Sequence, residues 1–514
     1  MDWIRLPVLA VMLGLAAPAL ADAPDAQSAS VQSQVEAVLA AAPKGTRFGL
    51  LVVDETGKII VSINPDQRFI PASNTKMFTT AAAYALLPAM DLPDTVGGTQ
   101  VALVPLPDSG RFSQQGSGFL PGLGPHDKVP AGPVDAWLSG RGDARMSSAA
   151  DCTIDCLAAL ADAVAAKTKK VRDVVGDDSM WPDQRWSPGM SWNNIGTDSG
   201  AASSALNLDD NELPVVVTPG ITGQPPTVTV SPYFTVHTDA RTGTAGSANT
   251  LVIERSVNRM DLRIYGTIPA DAKPWTERIG IDDPAHFAAW TFKAMLEARG
   301  VSVTGALRTN HRQRSADDLP HDPGVLGTPN HVPFNPLAKL TPPPLSADVT
   351  LINKVSQNLH AQVLFHRAGD AYGTGSDEWS VAAFNGLFER AGIPREGFDF
   401  SDGSGMSTYN RVSPRAAVAL LRWIAAQSWG RAWYASLPIA GVDGTLKKRF
   451  MGTPLAGNLI AKTGTLNATN ALSGTFRAAS GRTLTFAFFA NDVPGGQSAV
   501  PAMEAVLLLI AARN

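Results

Sequence analysis

Apolar residues recur along this chain with two periods, and the switches between them mark its elements. Gln27–Ala41 spaces its apolar positions as an amphipathic helix. In RFGLLVVDETGKIIVSI two β-branched runs flank Glu55-Thr56-Gly57, the pattern of a hairpin. NPDQRFIPAS reads as a loop, and SNTKMFTTAAAYALL as a helix with Asn74 and Thr75 in its first turn. From about Asp91 to Thr341 the pattern changes to short strand-like runs broken by Gly and Pro. Within that block GRGDARMSSAADCTIDCLAALADAVAA contains one helix, TLVIERSVNRMDLRIYGTI is a strand pair, and HFAAWTFKAMLEARG is a helix ended by Gly300. The Pro-rich VLGTPNHVPFNPLAKLTPPPL reads as a linker. Helical spacing then returns. SADVTLINKVSQNLHAQVLFHRAG predicts one helix from Ser346 or Asp348 to Gly369, with further helices in EWSVAAFNGLFERAG and SPRAAVALLRWIAAQ. NLIAKTGTLNATNALSGTFRAASGRTLTFAFFAND is a run of strands, and a terminal helix follows.

This order predicts an α+β, multidomain protein: an antiparallel sheet covered by helices, carrying a large inserted β-rich region. Residues 22–90 and 345–514 are expected to form one discontinuous domain. Residues 91–344 are expected to form the insertion, in two subdomains.

Length and composition agree with that picture. The 514 residues are 44 % hydrophobic and 17 % charged, enough for more than one core. Net charge is −4 and the densest basic stretch is AKTKKVR, read as a solvated face, so nucleic acid is not an expected partner. The opening MDWIRLPVLAVMLGLAAPALA has an Arg, an apolar run and a small-x-small site, the pattern of a signal peptide over residues 1–21. It is short for a membrane span, and so is the apolar C-terminal SAVPAMEAVLLLIAARN. The expectation is an exported, periplasmic protein with no membrane span after cleavage. Cys152 and Cys156 do not make a disulfide framework, and without nearby His they do not make a zinc site. A bridge between them is left open, because residues four apart on a regular helix rarely reach disulfide geometry.

Three short motifs carry the chemistry. Ser73-Asn74-Thr75-Lys76 sets a hydroxyl and an amine one turn apart at a helix start. Backbone N–H groups there favour a developing oxyanion, and Lys76 can act as a base if burial keeps it neutral. The plain alternative is a capping Ser and a solvated Lys. Ser356-Gln357-Asn358 interrupts an apolar helix pattern. S-x-N alone is weak, since Ser191-Trp192-Asn193, Ser247-Ala248-Asn249 and Ser256-Val257-Asn258 share it. Lys462-Thr463-Gly464, with Thr465 after it, leaves an apolar strand. A Gly there suits close approach of an extended peptide at a sheet edge. S-x-x-K, S-D-N and K-T-G in this order are the motif set of penicillin-binding proteins and class A β-lactamases. The middle residue is Gln357 rather than Asp.

On these motifs the chain resembles the class C low-molecular-mass penicillin-binding proteins, periplasmic D-alanyl-D-alanine carboxypeptidases and endopeptidases of the peptidase S13 type. GRGDARMSS, VVGDDSMW, SALNLDDNELPVVVTPG, SDGSGMSTYNRVSP and SLPIAGVDGTL look like family segments in family order, as does the long insertion between the first two motifs. The resemblance implies a serine β-lactamase/transpeptidase-like domain that needs no cofactor or metal. Its implied substrate is a peptidoglycan stem peptide, with β-lactams as inhibitors. It implies Ser73 as the acylated nucleophile, Lys76 as its base, Ser356 as proton relay and Asn358 as holder of Lys76 and the substrate amide. Lys462 would supply positive potential. Thr463, Gly464 and Thr465 would bind substrate, the two Thr at its terminal carboxylate, and the N–H groups of Ser73 and Thr465 would form the oxyanion hole. Asp177 matches the acidic position used to read a diaminopimelate side chain, with Asp178 adjacent. Family members often carry Arg where this chain has Thr408.

Two rivals remain: a serine β-lactamase or esterase of the same fold, and an inactive envelope scaffold. No E-x-x-L-N run or G-x-S-x-G elbow is present. His360 is read as a surface or packing residue, and Asp402–Gly405 as a tight structural turn. Oligomeric state is not set by these features.

Overall fold

The computed structural model describes residues 30–105, 122–320 and 335–514. The expected signal peptide, and residues 325–334 of the Pro-rich stretch, lie outside the described residues. Both ends of the chain contribute to one five-stranded antiparallel sheet, in the order Ile59–Ile63, Arg47–Val53, Thr483–Asn491, Thr469–Arg477, Ile460–Leu466. The predicted hairpin is there, with Val52 opposite Val61.

Alternation along the sheet explains its layers. Leu50 and Val52 point to one face and join Val35, Met503 and Leu507 from helices Val31–Ala40 and Val500–Arg513. Leu51 and Val53 point to the other and join Met77, Phe78, Phe365 and Leu421 from helices Thr75–Leu86, Asn358–Asp370 and Pro414–Ala425. Both faces are covered, so the strand Arg47–Val53 reads as a continuous apolar run. The Thr75–Leu86 helix is buried on all sides over Thr75–Ala83. Phe78 anchors it in an aromatic cluster, edge-on to Phe388 at 5.2 Å and 4.9 Å from Phe400.

The intervening block has its own mixed sheet, in the order Leu307–Arg312, Val174–Pro182, Val134–Ser139, Gln100–Pro105, Ala338–Lys339. Helices Leu157–Lys167 and Pro284–Ala298 share a separate apolar core with it. The predicted strand pair is Val252–Arg255 and Asp261–Tyr265, antiparallel.

One expectation needs correction, and one open question is answered. The single helix expected over Ser346–Gly369 is two, Leu345–Val355 and Asn358–Asp370. Ser356 takes a left-handed conformation between them, φ +67°, and the Gln357 side chain caps the second helix by accepting from the His360 N–H. The apolar spacing runs through the break because positions in phase with it are buried on both sides of it, Val349 and Ile352 in the core under the sheet and Leu359 and Val363 against the intervening block. Cys152 and Cys156 are disulfide-bonded, with Cα atoms 5.7 Å apart. The helix begins only at Leu157, with Cys156 as its cap, so the helical spacing that would have kept the thiols apart does not apply.

Candidate active site

The first motif begins at a short 3₁₀ turn, Ala72–Asn74, that feeds the buried helix. Ala72 sits at φ +48°. Its carbonyl lies so close to Gly405 that a Cβ there would meet it at 2.0 Å, and Gly405 itself has φ +87°. The glycine-rich loop after Asp402 is therefore moulded onto the Ser73 turn.

Lys76 is fully buried. Its Nζ donates to Ser73 Oγ at 3.0 Å, to Asn358 Oδ1 at 2.6 Å and to the Ser404 carbonyl. Burial lowers its pKa to about 7, against the opposing charge of Asp402. The plain alternative of a solvated Lys is excluded by this position.

The helix break delivers the second motif. A continuous helix would carry Ser356 and Asn358 two positions apart, on different faces. With the break, Ser356 Oγ accepts from Lys462 Nζ at 2.9 Å while Asn358 meets Lys76. Lys462 is also fully buried. Burial, and after it the charge on Lys76, hold it well below the usual lysine range. Two buried amines this close do not both keep a full charge at neutral pH.

The third motif lies on the edge strand Ile460–Leu466, paired along its length with Thr469–Arg477 and bridged on its other side only at its start, by Ile439 opposite Ile460. Asn74 Nδ2 donates to the Lys462 carbonyl at 3.0 Å and ties that strand to the Ser73 turn. Gly464 has a different neighbour from the one expected. The space a Cβ would fill is taken by the Pro71 carbonyl at 2.8 Å and Ala72 Cβ at 3.2 Å, so the glycine lets the strand pack on the turn. Thr463 Oγ1 shares a 2.7 Å hydrogen bond with Thr445 Oγ1, and Thr465 is exposed beside it.

Ser73, Lys76 and Asn358 thus form one hydrogen-bonded cluster and Ser356 and Lys462 a second beside it, joined through Asn74 and the Lys462 carbonyl, with Thr463, Gly464 and Thr465 along the edge. Asp177 lies elsewhere, on a central strand of the other sheet. It is buried and accepts from Ser139 Oγ at 2.8 Å, Asn310 Nδ2 at 2.8 Å and Ser179 Oγ at 2.7 Å. Its neighbour Asp178 holds Ser204 and His311. The hydroxyl of Thr408 donates to the Gly189 carbonyl at 3.0 Å.

Several groups at the site carried no readable signal. The Ser404 carbonyl is held in place by Asp402, which accepts from Ser404 Oγ at 2.9 Å, Gly405 N at 2.8 Å and Ser407 N at 2.8 Å. The turn at Asp402–Gly405 is structural as expected, yet it also supplies an acceptor to Lys76. Thr445 belongs to VDGTL, quoted only as a family segment. His360 is buried between Asp348 and Asp210, a packing residue that also joins the two parts of the chain.

Comparison with known proteins agrees with this arrangement. A model described as the D-Ala-D-Ala carboxypeptidase 3 (S13) family matches residues 31–91 and 125–513. A D-alanyl-D-alanine carboxypeptidase of Actinomadura sp. (strain R39) is 32 % identical over 529 aligned positions, covering 99 % of this chain and 89 % of that protein. The D-alanyl-D-alanine carboxypeptidase DacB of Haemophilus influenzae is 25 % identical, covering 88 % and 87 %. Among solved structures, penicillin-binding protein 4 (dacB) of H. influenzae superposes with a TM-score of 0.72 over 93 % of this chain and 97 % of that one, at 21 % identity. Another structure of that protein is complexed with a β-lactam. By its motifs, fold and extent of match, this chain belongs to the peptidase S13 family of D-Ala-D-Ala carboxypeptidases.

Proposed function

We propose that this protein is a serine-type D-Ala-D-Ala carboxypeptidase, DD-endopeptidase or both, that cleaves peptidoglycan stem peptides through an acyl-enzyme on Ser73. The observation that carries this reading is the buried Lys76 amine, 3.0 Å from Ser73 Oγ with a pKa brought down to about 7. A serine hydroxyl is a weak nucleophile until an adjacent base takes its proton, and a near-neutral amine is suited to that.

In the proposed reaction a stem peptide ending in D-Ala-D-Ala lies along the edge strand, its terminal carboxylate at Thr463 and Thr465. That carboxylate favours the ammonium form of Lys462, and the charge on Lys462 then keeps Lys76 neutral. Lys76 takes the Ser73 proton as Oγ attacks the carbonyl between the two D-alanines. The N–H groups of Ser73 and Thr465 receive the oxyanion. The proton passes through Ser356, which already accepts from Lys462, to the leaving amine. D-Ala departs, and water hydrolyses the ester. Cross-linked D-Ala–diaminopimelate would react the same way, and a β-lactam would acylate Ser73 and leave slowly. Export to the periplasm, as the N-terminal pattern predicts, would bring the protein to that substrate. Asp177 is kept as a candidate reader of the third stem residue, acting within its buried network.

Incubation with purified peptidoglycan fragments followed by mass spectrometry tests the reading. Loss of one Ala, or scission of a cross-linked dimer, is expected, together with a fluorescent-penicillin adduct on Ser73. Intact fragments with no adduct would favour a scaffold. Fast turnover of a chromogenic cephalosporin would favour a β-lactamase.

A further inference from the structure

The side-chain amide of Asn358 is held from both ends. Its Oδ1 accepts from Lys76 Nζ at 2.6 Å, and its Nδ2 donates to the backbone carbonyl of Ser199 at 2.9 Å. Ser199 lies in the block between the first and second motifs, in the turn Asp198–Gly200. That turn is clamped from three directions. Arg255 Nη2 donates to the Ile195 carbonyl at 3.1 Å, and Trp186 Nε1 donates to the Gly200 carbonyl at 2.9 Å. Thr197 bridges to Ile279 on strand Trp275–Gly280, whose Gly280 N–H reaches the Gly196 carbonyl at 3.3 Å. Arg255 is itself fixed: its side chain is 1 % exposed and pairs with Asp282 at 2.5 Å.

We propose that the Ile195–Gly200 turn is a positioning element of the catalytic centre, with Arg255 and Trp186 as the positioning residues behind it, and that it sets which end of the Asn358 amide faces Lys76. The inference rests on the acyl-enzyme reading above. A carbonyl only accepts, so Ser199 admits only the Nδ2 end of the amide. Turned end for end, Asn358 would present an NH₂ group to Lys76. Against an ammonium that sets donor against donor. Against a neutral amine it ties up the lone pair that must take the Ser73 proton. With the amide plane set, the second N–H of Asn358 has no partner among the described residues and is left for a substrate carbonyl. The block between the motifs thereby acts on the chemistry as well as on the shape of the cleft.

The test uses the full-length protein and a small fluorescent penicillin in excess, so that the observed quantity is a first-order acylation rate constant, measured from pH 5 to 9. Such a constant does not depend on how much of the sample is folded. Trp186→Phe keeps a ring and removes the donor, and Arg255→Met keeps an unbranched stem and removes the guanidinium. Both are expected to acylate about tenfold more slowly or worse. Their pH midpoints should also move to lower pH, because an ammonium that loses the Oδ1 acceptor is disfavoured. Arg299→Met, which removes a surface pair with Asp162 in the same block, should leave rate and midpoint unchanged. Wild-type rate and midpoint in both test variants would overturn the proposal. No adduct on the unmodified protein would instead sink the acyl-enzyme reading, and this inference with it.

Discussion

At the scale of single residues, the fully buried Lys76 decides what the site can do. Its amine has oxygen partners but, among the described residues, no ion-paired carboxylate, so burial dominates and its pKa falls from the usual lysine value to about 7. In the proposed reaction the base is the neutral form. Acylation of Ser73 should therefore rise with pH through a midpoint near 7 and fall away below it, which stopped-flow labelling with a fluorescent penicillin would read. Lys76→Arg should abolish that limb. A guanidinium stays protonated at every accessible pH, so the rate should drop by about a thousandfold across the range. Asp402 opposes the burial effect with its charge. Asp402→Asn should move the midpoint to lower pH and also reduce the plateau, since the Ser404 carbonyl loses its mooring. Ser73 and Lys76 were legible in the sequence because a hydroxyl and an amine at i, i+3 share a helix face. The carbonyls of Ser404 and Ser199 were not. A backbone acceptor has no residue signature, and these two act on partners 328 and 159 positions away.

At the scale of elements, the break at Ser356 and the edge strand at Lys462 bring the motifs within reach of each other. The break was invisible to periodicity, since Val349, Ile352, Leu359 and Val363 keep a helical rhythm across it while all are buried. What stops the first helix is a left-handed Ser, and for a non-glycine residue that conformation costs about 1 to 2 kcal/mol. Strain of this kind persists where the surroundings fix it, and here Lys462 holds the hydroxyl. Two substitutions separate the roles. Ser356→Ala keeps the strain and removes the hydroxyl. Ser356→Gly removes both. Gly should be the more stable of the two by about 1 kcal/mol in denaturant unfolding, while both lose turnover of a D-Ala-D-Ala peptide. Equal stabilities would show that the left-handed turn carries no cost. The sheet, its hairpin and most helices were legible because each has its own apolar period. Gly464 was legible as a special position but not for its reason, because the group that needs the space is the Pro71 carbonyl nearly 400 residues earlier.

At the scale of the whole molecule, the two ends of the chain and the block between them have separate main cores, and the two parts are locked together by charged groups and by a small apolar cluster in which Ala144, Met180, Trp181 and Ala205 meet Leu359 and Val363. Arg367 pairs with Asp94, Arg145 with Asp348, and the His360 ring bridges Asp348 at 2.7 Å and Asp210 at 2.9 Å. None of these pairings can be read from sequence, because each joins residues whose proximity exists only after both cores have formed. Separate cores alone would allow the block to swing. A fixed Ser199 carbonyl at Asn358 needs the lock, so the interface serves the site. His360 gives that lock a pH dependence. Burial works against a charged ring, but the hydrogen bonds to Asp210 and Asp348 outweigh it and hold its pKa up at about 9. Between the unfolded value near 6.5 and about 9 the folded protein binds the extra proton, so in this window stability from this residue falls as pH rises. It is fully present below about pH 6.5. Lys76 acts in the opposite direction above pH 7, so the overall curve mixes both, and the informative quantity is a difference between two proteins. His360→Gln cannot carry the charge. Its stability deficit relative to the unmodified protein should be largest at pH 6 and shrink steadily toward pH 9.5, measured by urea unfolding at each pH. A deficit of the same size at both ends would mean that His360 contributes only shape and hydrogen bonds to the interface. In that case the lock would rest on Arg145, Arg367 and the apolar cluster around Trp181, and would hold unchanged across the pH range in which Lys76 titrates.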